Sequence, residues 1–380
     1  MKVAIMTQPL GQNYGGILQA WALQQVLQRL GHEPVTIDRQ ADAPNLIYQL
    51  ARFGYRAFKK ATGNRPAPLN FERHFPRILS NTSAFIVENI KTSPPLNSTA
   101  KLKDHFSREK YDAVVVGSDQ TWRPCYSPNI ENFFLDFIDC DSIKRYAYAS
   151  SFGVDNWEFT KEQTERCAAL AKKFDVISVR EKSGIDLCRN HLGVKASHVL
   201  DPTLLLQKDA YEALFIDKKL PRRSGVYTYI LDDAQWKARV VETVTRSFGK
   251  KTYSNQPKCN LSDLSSSNLS DYEMPSIEGW LQGFFDADFI VTDSFHGTVF
   301  SVIFEKPFIS LINAGRGATR FFSLADELGV QDRILEKHDE ESIKNLIETP
   351  VDFEQVRSRL GALRKTSEDA LFEMLPVKFG

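Results

Sequence analysis

With 380 residues the chain is too long for one ordinary core and comfortable for two. Hydrophobic residues make up 42% and charged residues 25%, near the globular average, which argues against disorder. Lys+Arg and Asp+Glu both number 48, so there is no basic excess to hold nucleic acid, although a small anionic ligand needs only a few placed cations. In chain order, Lys2 to Thr7 predicts a buried first strand rather than a signal peptide, whose apolar core would be longer. Gly15 to Leu30 has helical spacing in Ile17, Leu18, Trp21, Val26 and Leu27, and Gly31 stops it. Val35 to Ile37 is the next strand. From about residue 45 to 105 the pattern loosens into an aromatic, basic, proline-punctuated helical excursion. Ala113 to Val116, Lys144 to Ala149, Val176 to Val179 and Ala196 to Leu200 predict strands, with helices at Thr160 to Lys173 and Glu181 to Leu192.

A boundary near Leu206 to Arg223 precedes a second series. Gly225 to Leu231 predicts a strand, Ala234 to Phe248 a helix, Lys251 to Tyr253 a short strand, and the serine-rich Ser262 to Ser270 a loop. Ile277 to Phe285 is helical, Phe289 to Thr292 a strand, Gly297 to Phe304 a helix, Phe308 to Ile312 a strand, and Asp339 to Leu375 a charged helical tail. The fold class is α/β, with two Rossmann-like doubly wound lobes facing a cleft at the strand C-termini. The expected bounds are 1–210 for the first lobe, 211–335 for the second and 336–380 for the tail.

Cys125, Cys140, Cys167, Cys188 and Cys259 are scattered and form no CxxC pair, which points to a reducing compartment and to neither disulfides nor zinc. No stretch is apolar for long enough to cross a bilayer. A cytoplasmic protein is expected.

Five polar sets follow strands and could carry chemistry. Thr292-Asp293-Ser294-Phe295-His296-Gly297-Thr298 puts a histidine at a helix mouth, where free backbone N–H groups favour anions; a plain helix cap is the structural alternative. Gly117-Ser118-Asp119-Gln120 ends another buried strand, and Trp122 beyond it could shelve a sugar ring. Asn13-Tyr14-Gly15-Gly16 is a glycine-rich turn between first strand and first helix, without the Lys-Ser/Thr pair of a Walker loop. Arg180 follows a strand and could grip a carboxylate or phosphate bidentately, or pair with Glu181 or Asp186. Asn313, Arg316, Gly317 and Arg320 surround a helix start and together suit a trianion.

Taken in order, NYGGILQAWALQ, GSDQTW, YASSFG, SVREKSG, DPTLLL and TDSFHGTVFSVIFEKPF resemble the polysaccharide pyruvyl transferase family over about residues 3 to 335. The resemblance implies a fold similar to the glycosyltransferase B type. It implies transfer of pyruvate from phosphoenolpyruvate onto a saccharide as a ketal. The family's histidine falls on His296, and the arginine of its SxR segment on Arg180. Many members carry an arginine two residues before that histidine, where this chain has Ser294; Arg316 or Arg320 would supply the cation instead.

On this reading His296 is the acid and Asp119 the base or sugar anchor. Arg180, Ser294, Gly297, Thr298, Asn313, Arg316, Gly317 and Arg320 face the donor. Asn13, Tyr14, Gly15, Gly16, Ser118, Gln120 and Trp122 face the acceptor. No metal or cofactor is expected beyond phosphoenolpyruvate as donor substrate. The partners are phosphoenolpyruvate and a saccharide that a lipid could carry, with peripheral membrane contact but no transmembrane segment and no nucleic acid. A nucleotide-sugar-dependent glycosyltransferase and a non-catalytic saccharide-binding relative are the alternatives.

Overall fold

Strands buried on every residue need cover on both faces, and AVVV at Ala113–Val116 and FIVT at Phe289–Thr292 are buried throughout. The computed structural model describes residues 1–44, 46–63, 67–261, 264–312 and 317–376. The expected donor residues Asn313 and Arg316 therefore lie outside the described residues, as does part of the serine-rich loop. The first sheet holds β1 (Lys2–Met6), β2 (Glu33–Ile37), β3 (Ala113–Val116), β4 (Lys144–Ser150), β5 (Val176–Val179) and β6 (Ser197–His198), in the order β2-β1-β3-β4-β5-β6. The second holds β7 (Val226–Tyr229), β8 (Thr252–Tyr253), β9 (Phe289–Thr292), β10 (Phe308–Leu311) and β11 (Ile334–Leu335), in the order β11-β10-β9-β7-β8. Every pairing is parallel.

In both sheets the winding reverses between the lobe's first and third strands. Such a reversal splays the connections apart and leaves a crevice at the strand C-termini. The crevices open between β1 and β3 and between β7 and β9. The turns at Asp119 and His296 follow β3 and β9, so each stands at its own sheet's crevice.

Side-chain alternation sets the layers. Val3 and Ile5 of β1 join a core that runs into the second lobe, while Ala4 and Met6 face a separate core on the far side. In β9, Ile290 joins the shared core, and Phe289 and Val291 the outer one. Helix α1 (Tyr14–Arg29) is buried along most of its length because it packs on both lobes. The Tyr14 ring stacks on Trp280 of the second lobe at 5.4 Å, and its hydroxyl donates to the Pro275 carbonyl at 2.8 Å. A fully buried ring of this size is worth about 1.5–3 kcal/mol, so this contact alone resists separation of the lobes.

The tail is two helices, Glu340–Glu348 and Phe353–Met374, with Pro350 between them. The second returns to the first lobe. There the Leu200 N–H donates to Ser367 Oγ at 3.0 Å, and Arg364 Nη2 donates to the Leu206 carbonyl at 3.1 Å. The excursion contains α2 (Leu46–Ala61) and helices Ser80–Asn89 and Thr99–Arg108. Where one helix was expected through Leu192, the chain forms Lys182–Leu187 and then a wider turn, Cys188–Leu192, closed by Gly193 at φ 66°. No helix among the described residues is long and apolar enough to cross a membrane.

Candidate active site

The two crevices merge into one cleft of about 700 Å³. Asn13, Tyr14, Asp119 and Gln120 line it from the first lobe, and Ser294, Phe295, His296 and Arg320 from the second.

Asp119 follows β3 with φ 61°, a left-handed backbone that aspartate tolerates better than most residues. Its Oδ1 accepts from the Gln120 N–H at 2.8 Å, and its Oδ2 accepts from Asn13 Nδ2 at 3.4 Å. Gly16 lies beside this pair; a Cβ there would sit 3.1 Å from Asp119 Oδ2 and from Asn13 Nδ2. Asn13 caps α1 without a side-chain hydrogen bond to the helix. That leaves the positive end of a sixteen-residue helix directed at the cleft, the usual setting for an anion.

His296 lies in the first turn of a helix spanning Phe295–Ile303. The sequence pattern placed that start at Gly297. It comes two residues earlier because Ser294 is the N-cap, its Oγ accepting from the Gly297 N–H at 3.3 Å. Both readings of this turn therefore hold in part: Ser294 is a cap, and His296 still faces the cleft. The imidazole rests against α1, where a Cβ on Gly15 would collide with Nδ1. Its Nε2 lies 3.7 Å from Asp201 Oδ2 and has no hydrogen-bond partner among the described residues.

Asp201 is the centre of the buried layer below the cleft. Its Oδ2 accepts from Arg180 Nη1 at 2.7 Å and from Ser118 Oγ at 3.0 Å. Its Oδ1 accepts from the Thr203 N–H at 3.0 Å and hydroxyl at 2.6 Å. Burial pushes its carboxyl up, but His296, Arg180 and Thr203 outweigh burial and hold it far below the usual carboxylate range.

Two guanidiniums press on one ring. The Arg180 carbon lies 4.8 Å and the Arg320 carbon 5.3 Å from the Phe295 centroid. Burial opposes the Arg180 charge, yet Asp201, Asp119 and Glu181 raise its affinity for the proton. Burial and then repulsion from Arg180 lower Arg320 to about 10. Arg180 Nη2 lies 3.8 Å from Asp119 Oδ1, and its Nε and Nη2 donors have no acceptor in hydrogen-bond geometry among the described residues. Glu181 supports the neighbouring loop, its Oε1 accepting from the N–H groups of Phe152 at 2.7 Å and Gly153 at 3.2 Å. Gly317, at φ 93°, approaches that loop so closely that a Cβ would strike the Gly153 carbonyl.

Several expected site residues turn elsewhere. Trp122 cannot shelve a sugar: it is wholly buried, stacks on Phe134 at 4.9 Å and donates Nε1–H to the Phe133 carbonyl at 2.9 Å. Ser118 is buried against Asp201 and takes part through that carboxylate rather than at the cleft surface. Gly297 packs on Thr292, and its N–H is occupied by the cap. The Thr298 hydroxyl bonds to the Ser294 carbonyl at 3.2 Å and Ser310 Oγ at 2.6 Å, behind the cleft wall. Arg180 is buried below the cleft instead of exposed beside Asp186.

The sequence reading gave no role to Asp201, although DPTLLL marked its position. Nor did it foresee Lys237, which is buried between Asp232 at 2.6 Å and Asp293 at 2.7 Å. Burial raises the Asp293 carboxyl despite that lysine, and its Oδ1 accepts from the Leu231 N–H at 2.7 Å. This set braces β7 against the His296 turn.

A family model for polysaccharide pyruvyl transferase matches residues 13–315. No curated protein matches the chain. Among solved structures, a glycosyltransferase from Rickettsia africae superposes with a TM-score of 0.53 at 10% identity, covering 99% of this chain and 98% of that one. A UDP-GlcNAc 2-epimerase from Methanocaldococcus jannaschii gives 0.51 at 13% identity, covering 97% and 99%. The S. aureus MnaA structure with UDP gives 0.53 at 11% identity, covering 100% and 98%. At these identities the likeness is one of fold, the two-lobed glycosyltransferase B type.

Proposed function

The chain belongs to the polysaccharide pyruvyl transferase family, and on that premise we propose that it moves pyruvate from phosphoenolpyruvate onto a saccharide of a cell-surface polysaccharide, as a ketal. The observation that carries this reading is the pair of guanidiniums on Phe295, beside His296. Cationic side chains gathered at and behind a cleft wall suit an anionic ligand. Phosphoenolpyruvate offers a phosphate at one end and a carboxylate at the other. Arg320, which lines the cleft, takes one end with Arg180 behind it in the buried layer, and the uncapped start of α1 takes the other. Arg316 remains, in this proposal, the cation expected in place of the one that Ser294 does not provide.

The reaction needs one proton delivered and two removed. His296 gives a proton to the methylene carbon of phosphoenolpyruvate, making it a methyl group. The adjacent carbon becomes electrophilic, and a saccharide hydroxyl attacks it. Asp119, at the cleft surface of the opposite lobe, accepts that hydroxyl's proton. The phosphate leaves with the C–O bonding pair, and a second hydroxyl closes the ketal. Of the two hydroxyl protons, one leaves on hydrogen phosphate and the other restores His296. Asp201 positions the imidazole and faces its positive charge. The reading sets the enzyme in the cytoplasm, where its five cysteines are free thiols.

Calorimetry with phosphoenolpyruvate and with uridine and guanosine diphosphates tests the donor. Phosphoenolpyruvate should bind, about tenfold more weakly or worse in Arg320→Ala. Tight nucleotide binding with no heat from phosphoenolpyruvate would instead make the chain a nucleotide-sugar enzyme.

A further inference from the structure

Helix α2 is built inside out. Its residues, Leu46–Ala61, include Arg52, Arg56, Lys59 and Lys60 and no acidic side chain. At helical spacing Ile47, Leu50 and Phe58 fall on one face, with Arg52 and Arg56 on the other. A helix of a water-soluble domain normally turns its apolar face inward. Here the basic face is the inner one. Arg56 Nη1 donates to Glu72 Oε2 at 2.8 Å and to the Leu69 carbonyl at 3.2 Å, and Arg52 lies 3.6 Å from the same carboxylate. The apolar face looks outward, with Ile47 80%, Leu50 64% and Phe58 68% exposed.

We propose that α2 is a membrane anchor that lies in the surface of an anionic lipid bilayer. The apolar stripe enters the acyl boundary, while Lys59 and Lys60, both exposed at the end of the helix, reach headgroup phosphates. Charge decides between a bilayer and a second copy of the chain. Arg52 and Arg56 are taken up by Glu72 on the inner face, so Lys59 and Lys60 are the exposed cations of α2; they complement an anionic lipid surface, whereas two copies paired through α2 would set these lysines against each other. Lys59 also lies 5.0 Å over the Tyr55 ring, and such amphipathic aromatics favour the membrane interface.

The anchor is braced against the cleft. Glu72, which holds Arg56, adjoins Phe71, and Phe71 packs edge-on against Tyr272 at 4.9 Å. Both belong to a small apolar cluster with Leu261, which lines the cleft. Docking α2 therefore fixes how the cleft's rim meets the bilayer, whatever reaction the cleft performs.

Flotation of the full chain tests the proposal. The probes are vesicles of phosphatidylcholine and of an equal mixture of phosphatidylcholine and phosphatidylglycerol. Wild type should float with the mixture and not with phosphatidylcholine alone. The variants Ile47→Glu/Phe58→Glu and Lys59→Glu/Lys60→Glu change exposed positions and should each lower binding at least about tenfold. Wild type that stays below the vesicles, or binding undiminished in Ile47→Glu/Phe58→Glu, would overturn the anchor. So would a wild-type dimer in gel filtration that the same substitutions dissociate.

Discussion

Nε2 of His296 lies 3.7 Å from Oδ2 of Asp201, and that contact crosses between the lobes. His296 comes from the turn after β9, and Asp201 from the segment after β6. Arg180 holds the same carboxylate oxygen at 2.7 Å. One buried anion thus joins the candidate acid to the candidate donor cation.

Removing that anion's charge should be costly. The folded-state pKa of Asp201 lies far below the usual carboxylate value of about 3.9. As pH falls, the unfolded chain takes up the proton first, so the stabilisation is complete above that value and is lost below it. At pH 7 Asp201→Asn should be less stable by about 3–5 kcal/mol, because it leaves Arg180 buried without its partner charge. The gap in urea midpoints should narrow as the pH drops below about 4. A gap independent of pH would contradict the assignment. Activity should fall by about a hundredfold, mostly in kcat, because the imidazole loses its support.

Gly15→Ala should disturb both the site and its packing. A Cβ at Gly15 collides with the His296 ring, which must turn away. A displacement of this order lowers kcat by about a hundredfold. The ring is buried and the added methyl would also lie 2.8 Å from the His296 Cβ, so the clash strains the packing between the lobes and the melting temperature should fall as well. Normal activity in Gly15→Ala would mean that His296 works from another position.

Ser294 has a structural duty independent of any donor. Ser294→Ala removes the cap on the Gly297 N–H and should lower stability by about 1 kcal/mol, measured by denaturant titration. Ser294→Thr should retain most of it.

Trp122 separates a core role from a binding role. Trp122→Phe leaves the buried Phe133 carbonyl without its donor and should cost about 1–3 kcal/mol. The acceptor KM should not change. A large rise in that KM with stability intact would return Trp122 to the acceptor site.

The fold was largely legible because its signals are local. Uninterrupted apolar runs such as Ala113–Val116, ended by glycine and polar residues, mark covered strands, and alternation with helices marks a parallel sheet. The turns at Asp119 and His296 were legible for the same reason, each following such a run. Asp201 was not, because its importance lies in what converges on it: Arg180 from β5, Ser118 from β3 and His296 from the other lobe. Trp122 was misplaced because closeness to a polar turn does not say which way a side chain points. The α2 period is present in the sequence, but only tertiary contact with Glu72 reveals that its basic face is the inner one.

The most direct test is phosphate release from phosphoenolpyruvate over a panel of glycans, with wild type and His296→Ala side by side. Wild type should release phosphate only when an acceptor is present, and the product glycan should gain a carboxylate. His296→Ala should lower the rate by about 10²–10⁴ while still binding phosphoenolpyruvate through its arginines. Acceptor-dependent release that survives His296→Ala undiminished would contradict the account.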